Sequence, residues 1–322
     1  MSLSKVVLQN TDLTVSEFCY GTNMLGTAID QAGSNAILDT FAELGGNFID
    51  TARMYGDWVP DAPAGASERA IGTWLASQNR DDFVVATKGC AMDMRKGDWQ
   101  PRLTPDDLAN DVSESLDHLQ LQTIDLYFLH ADNPQVPVGE MIDALAAHQA
   151  AGRVRHYAAS NWSADRIASA NEYAASSGKP PFVASQTFWG LAKPNVAAAA
   201  QQGYLHYYEG EYEELHAAGL PIIAYGAQSG GYFSKLTDGT AMPEGIAARY
   251  DDPANSQRYE AARAIASARG ISINDVVLAY ISSQLNQTIP IFGGRNEEQV
   301  RDSVKASSVR LDASELAELQ VG

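Results

Sequence analysis

The chain has 322 residues, 45% hydrophobic and 19% charged, a composition that supports a large folded core and excludes a disordered chain. Its 40 Asp and Glu outnumber 22 Lys and Arg, and the formal charge of -18 repels phosphate backbones and anionic membranes. Nucleic acid is therefore not expected as a partner, and an anionic ligand needs a local site. Cys19 and Cys90 stand alone, without metal-ligand spacing. Neither a basic-then-apolar leader nor an apolar run of membrane-spanning length occurs, so a cytoplasmic protein with no membrane partner is expected.

In chain order, a short hairpin is expected near residues 5–16. "EFCYGTN" then reads as a strand, and 35–45 as an amphipathic helix stopped by Gly45. "NFID" precedes a helix over 67–77, opened at Ser67 with Ala70, Ile71, Trp74 and Leu75 on one face. "FVVATK" (83–88) precedes a helix begun by Thr104, with Asp107 three residues on in a capping-box-like pair. "IDLYFLH" (124–130) leads to a helix over 138–150, and "VRHYAASN" (154–161) to one over 163–177, opened by Ser163. "FVASQ" (182–186) passes through a long connection to a helix over 209–218. "PIIAYG" (221–226) leads to helices near 256–269 and 273–284, and "TIPIFGG" (288–294) to one near 296–305.

The strands are near-continuous apolar runs, as in a parallel sheet covered on both faces. Repeated strand-then-helix units of this kind predict a closed (β/α)8, or TIM, barrel as a single domain over 1–322, with a short N-terminal hairpin and extra helices near the C-terminus. The segments 186–210 and 228–245 read as long functional loops.

In such barrels the chemistry gathers where strands end. The strand ends carry Asp50, with Tyr55 in its loop, then Lys88, His130, Ser160 with Asn161, Gln186 and Tyr225. Singly, each has an ordinary reading: a helix cap, a surface charge, a polar rim, a packing aromatic. Together at one end of successive strands they make a chemical set. A phenol with a pKa near 10 is a poor acid. The Lys88 ammonium is expected to lower it, and Asp50 to hold that ammonium charged. Tyr55 could then protonate a carbonyl oxygen or deprotonate an alcohol, with a neutral His130 orienting the same oxygen. Among the six histidines only His130 falls at a strand end; His118, His148, His206 and His216 fall in helices or loops and His156 inside a strand, so no metal site is expected. No G-x-S-x-G elbow is present.

With these residues in place, the sequence resembles the aldo-keto reductases from about residue 12 to residue 305. The resemblance rests on "YGTNMLG" at the first barrel strand, "DTARMYG" at the second, "ATKG" at 86–89, "DLYFLH" at 125–130, "SNW" at 160–162, "SQTFW" at 185–189, "IAYGA" at 223–227 and "GGRNEEQV" at 293–300. It implies NAD(P)H across the barrel mouth, with Asp50, Tyr55, Lys88 and His130 as the catalytic four and Tyr55 the general acid.

Gly21, Thr22, Asn23 and Asp50 would flank the cofactor. Ser160, Asn161 and Gln186 would bind the nicotinamide carboxamide, and Tyr225 would stack on the ring. Gly226, Ala227, Gln228, Gly230 and Gly231 would follow the pyrophosphate, where glycine permits close approach. Gly293, Gly294, Arg295, Gln299 and Ser303 would hold the adenosine end, beside a helix N-terminus.

The chain departs from the family pattern in having Gly226-Ala227-Gln228 where Ser-Pro-Leu is frequent, Phe292 for a frequent proline, and Ser303 for a usual asparagine. Gly293 and Gln299 stand where some members place basic residues against the 2'-phosphate, which leaves Arg295. NADP(H) is favoured on the resemblance, with NAD(H) as the alternative. Met54, Trp58 and Trp99 are candidates for the substrate side, giving a rim suited to a small, sugar-like or aryl carbonyl compound or its alcohol. Packing is an equally good reading of Met54 and a better one of Trp99. Trp162 and Trp189 read as structural. The competing function is a slow nicotinamide-binding sensor or accessory subunit, because potassium-channel β-subunits resemble these enzymes too.

Overall fold

The computed structural model describes residues 2–97, 99–100, 102–203 and 211–320. His206 and the first two residues of the helix expected over 209–218 lie outside them. Strands β1 (Lys5–Val7) and β2 (Thr14–Ser16) form an antiparallel hairpin. Eight further strands follow: β3 (Cys19–Gly21), β4 (Phe48–Asp50), β5 (Val84–Gly89), β6 (Ile124–Leu129), β7 (Val154–Ser160), β8 (Ser185–Phe188), β9 (Ile222–Tyr225) and β10 (Thr288–Phe292). They are parallel and close into a barrel, β10 pairing with both β9 and β3. This is the (β/α)8 architecture expected from the alternation of strand and helix.

The alternation of side chains along a strand explains how the barrel builds its mouth. Phe48, Val84, Ala86, Leu126, Phe128, Ala158, Ala184, Ile223 and Ile289 pack together inside the barrel. Counting on by two from these residues gives Asp50, Lys88, His130, Ser160, Gln186 and Tyr225. The same periodicity that fills the interior with apolar groups thus carries these polar ones into one layer above it. The intervening residues Ile49, Val85, Tyr127 and Ala159 face the helices and join the outer core. At the opposite end Leu8, Leu13 and Val15 of the hairpin pack into the interior cluster and close it from below.

Several details differ from the sequence expectations. The second helix runs Ala66–Leu75 and is entered through Gly65 in the left-handed region, φ 64°, so Ser67 is not its cap. Ser67 Oγ instead donates to the carbonyl of Thr22 at 2.8 Å and lies 2.8 Å from the Thr22 hydroxyl and 3.0 Å from that of Thr51, tying the ends of β3 and β4 together. The segments expected to be loops contain short helices: Val196–Gln201, capped by Asn195, and Tyr232–Asp238 and Glu244–Arg249. An unexpected final helix, Ala313–Leu319, opens with a reciprocal capping box between Asp312 and Glu315.

Among the described residues no single helix is long and apolar enough to cross a membrane; the one pair that passes jointly, Ala254–Arg269 with Ile273–Ser282, is bent by 104°.

Gly65 sets the entry to the helix that anchors the Tyr55 loop. A Cβ there would lie 2.0 Å from the His118 ring in a left-handed backbone that disfavours side chains. Gly65→Ala is predicted to lower the unfolding free energy by about 2 kcal/mol. Urea unfolding checks this as a fall in midpoint at unchanged slope.

Candidate active site

Register delivers the acid first. Asp50 ends β4 opposite Gly21, and its carbonyl accepts from the Thr22 amide and hydroxyl at 3.1 and 2.9 Å. One strand over, Lys88 is fully buried. An ammonium has three hydrogens to place. Those of Lys88 go to Asp50 Oδ2 at 2.7 Å, the Thr51 carbonyl at 2.7 Å and the Tyr55 hydroxyl at 3.1 Å. Gln186 Nε2 donates to the other Asp50 oxygen at 2.9 Å. Both ions are thereby compensated, as burial demands.

The energetics of the phenol correct the sequence expectation. Burial pushes the Tyr55 hydroxyl above its ordinary pKa of 10, and the Lys88 ammonium opposes this without reversing it. Desolvation of a phenolate in this site outweighs one attractive charge, the more so because Asp50 adds a repulsive one. Burial also raises the Asp50 carboxyl against the pull of Lys88. For Lys88, burial favours deprotonation, but Asp50 and Tyr55 overcome it and raise its pKa. The ammonium is therefore the persistent charge of the group.

His130 stands 6.1 Å from Tyr55 between ring centroids, at 73°. Its amide donates to Gly89 O at 2.9 Å and its carbonyl accepts from Asn161 Nδ2 at 2.9 Å, while Nδ1 is buried without a hydrogen-bond partner. Burial, with the Lys88 ammonium beside it, lowers the imidazole to about 3, so it is neutral near pH 7. Asn161 occupies the left-handed region at φ 59°, a conformation Asn tolerates better than most residues. That turn lets its amide serve two strands, because its Oδ1 also accepts from the Tyr225 hydroxyl at 2.7 Å. Phe188 stacks on Tyr225 at 5.4 Å and 25°.

A cleft of about 1400 Å3 runs from this group across the mouth. Its lining includes Gly21, Thr22, Asn23, Asp50, Tyr55 and Tyr225, continues through Gly226, Ala227, Gln228, Gly230 and Gly231, and ends at Gly293, Gly294, Arg295, Gln299 and Ser303. Ser160, Asn161 and Gln186 are buried and do not line it. A Cβ on Gly226 would fall 2.3 Å from the Phe188 ring, and Gly226, Gly230 and Gly231 all have positive φ. Between the two long walls Gln228 forms a clasp: Nε2 donates to Asn274 Oδ1 and Ser303 Oγ, each at 3.1 Å, and Oε1 accepts from the Gly293 amide at 2.9 Å.

Trp58 packs edge-on against Tyr55, centroids 5.9 Å apart. Met54 is half-buried in the same loop, and Trp99 is exposed with no ring contact to a described residue. Trp162 and Trp189 are buried in aromatic packing, Trp189 stacked on Tyr212 at 3.8 Å. Sequence reasoning missed Lys235 and Asn274 on the cleft wall; the readable signal for Lys235 was a lysine one helical turn beyond the Gly230-Gly231 pair. Among the described residues no three His, Cys, Asp or Glu side chains converge as a metal site requires.

A match to the aldo/keto reductase family covers residues 17–321. The chain belongs to this family. It is an oxidoreductase of carbonyl and alcohol groups, in a family whose members generally use nicotinamide cofactors. Its similar relatives include norsolorinic acid reductase of Aspergillus flavus, 28% identical over 98% of this chain and 79% of that protein. Aldo-keto reductase ausK of Aspergillus calidoustus is 29% identical over 98% of this chain and 81% of its own length. Aryl-alcohol dehydrogenase GME11368 of Pestalotiopsis microspora is 27% identical over 99% and 81%.

The neutral His130 gives this aldo/keto reductase a pH signature. Its folded pKa of about 3 lies below the unfolded value near 6.5, so between them the unfolded chain binds more protons. Its contribution to stability is fully present above pH 6.5 and is lost as pH falls toward 3. From pH 6.5 to pH 5 the loss is about 2 kcal/mol. His130→Asn is predicted to lose that much less than the native chain over the same interval, measured by urea unfolding.

Proposed function

We propose that the protein is an NAD(P)H-dependent reductase of aldehydes and ketones, reversible toward the alcohol, with Tyr55 as general acid. The observation that carries this reading is the third hydrogen of the buried Lys88 ammonium, directed to the Tyr55 oxygen in the glycine-lined cleft.

The glycine cradle at Gly21, Gly226, Gly230 and Gly231 and the length of the cleft fit an extended dinucleotide. A nicotinamide bound at the Tyr225 end would supply the hydride. Tyr225 would pack on its ring and Lys235 and Arg295 would meet phosphate charge, while Asn161, bonded to Ser160, and Gln186 would act from behind the cleft by holding Tyr225 and Asp50 in place. Of the chain's own residues, Tyr55 stays protonated at neutral pH because its pKa is raised, and so holds the proton a reduced carbonyl oxygen requires. As the proton leaves, Lys88 meets a growing negative charge at 3.1 Å, an attraction stronger in the transition state than before it. The neutral His130 offers a hydrogen bond that orients the substrate oxygen, and Asp50 keeps Lys88 from swinging away. The Trp58 ring beside Tyr55 favours an aryl carbonyl, in keeping with the name of the aryl-alcohol dehydrogenase among the relatives.

NADP(H) is the preferred form in this reading. Of the cleft's basic residues, Arg263 and Lys305 are paired with Glu260 and Asp302, Lys235 donates to the Gly230 carbonyl, and Arg295 is exposed with no ion pair among the described residues.

The test is reduced-nicotinamide absorbance with NADPH and, separately, NADH, against an aryl aldehyde, methylglyoxal and several sugars. Turnover supports the reading, and silence from every pairing would overturn it. Tyr55→Phe is predicted to lower kcat by about 100-fold or more while cofactor affinity, read by fluorescence titration, stays nearly unchanged. Arg295→Ala is predicted to weaken NADPH by about tenfold and NADH little, since only the former carries the additional phosphate. Equal weakening of both would remove Arg295 from that role.

A further inference from the structure

Beneath the substrate side of the mouth runs a chain of side chains with alternating charge that the proposed chemistry does not use. Arg95 Nε donates to Asp57 Oδ1 at 2.6 Å, and its other arm reaches the Ala62 carbonyl at 2.8 Å. Asp57 Oδ2 lies 3.6 Å from Arg53, whose Nε donates to Asp111 Oδ1 at 2.9 Å. Arg102 grips both oxygens of Asp111 at 2.7 Å, and Asp111 Oδ2 also accepts the Cys90 amide at 2.7 Å.

The chain joins two loops. Arg53 and Asp57 flank Tyr55, and Asp57 precedes Trp58; Arg95 and Arg102 bracket the segment carrying Trp99. Its two ends differ in kind. Asp111 is 2% exposed and holds several partners, so that end is fixed. At the other end the Asp57 side chain is 1% exposed, with Oδ2 lacking any hydrogen bond, whereas Arg95 is 36% exposed. A buried carboxylate depends on its partner far more than a half-exposed guanidinium depends on the carboxylate. The tie is therefore held shut by Asp57 and can open at Arg95.

We infer that this chain is a positioning device for the substrate mouth, and that its Arg95–Asp57 end sets the size of carbonyl compound admitted beside Tyr55 and Trp58. The inference rests on the reductase reading above. Arg95 touches none of the residues placed in the catalytic or cofactor-binding groups.

The experiment compares the native enzyme with Arg95→Met and Arg95→Lys on a small aldehyde and a bulky aryl ketone. Arg95→Met is expected to raise kcat/KM for the bulky substrate relative to the small one by about fivefold, through KM, with kcat on the small aldehyde and cofactor affinity unchanged. Arg95→Lys, which keeps the charge, restores the native ratio. Acrylamide quenching of tryptophan fluorescence gives a readout independent of turnover. Trp74, Trp162 and Trp189 are buried, so the quenchable signal belongs to Trp58 and Trp99, and it rises in Arg95→Met. An unchanged substrate ratio in Arg95→Met overturns the inference. So does a parallel loss of kcat, KM, cofactor affinity and Tm, which marks a purely structural role. If the native enzyme reduces no carbonyl compound, the reductase reading has failed by itself, and unchanged quenching then overturns the positioning role as well.

Discussion

The site depends on one buried ion pair, Lys88 with Asp50. Two charges withdrawn from water are tolerable only when every polar valence finds a partner. Here Gln186 completes Asp50, while the Thr51 carbonyl and Tyr55 hydroxyl complete Lys88. The direction of the third Lys88 hydrogen is thus a result of the other two being occupied. Three of these partners come from residues 50–55 and the fourth from β8, so the geometry that brings Lys88 to the Tyr55 oxygen exists only when β4, β5 and β8 are correctly closed around it.

The supporting contacts extend this logic outward. Asn161 joins the His130 carbonyl to the Tyr225 hydroxyl, Phe188 backs Tyr225, and Ser67 binds the ends of β3 and β4. A mouth assembled from eight separate loops gains rigidity from such bonds between neighbouring strand ends.

Much of the fold was legible because its signal is local and repeated: apolar runs, helix caps such as Thr104 and Ser163, and the punctuating Gly45. Asp50, Lys88 and His130 were legible as polar breaks at the ends of those runs. What stayed hidden depends on distant partners. Nothing near Gln186 announces that its amide serves Asp50, and nothing near Gln228 announces a clasp to Asn274 and Ser303. Ser67 has the chemistry of a cap, but the left-handed Gly65 had already turned the chain and freed its hydroxyl for Thr22. The direction of the Tyr55 shift was missed for a similar reason, since sequence names the neighbouring charge and not the depth of burial that outweighs it. The short helices in the long loops went unseen because six or seven residues carry too little periodicity to register.

The N-terminal hairpin gives the barrel a stopper. With Leu8, Leu13 and Val15 packed beneath Phe48, Val84 and Leu126, the interior is a blind vessel with an apolar base. Traffic is therefore one-sided. In the proposed reaction the proton that refills Tyr55 would enter by the same mouth as the substrate, so reprotonation and product exit would share a doorway and follow one another in time.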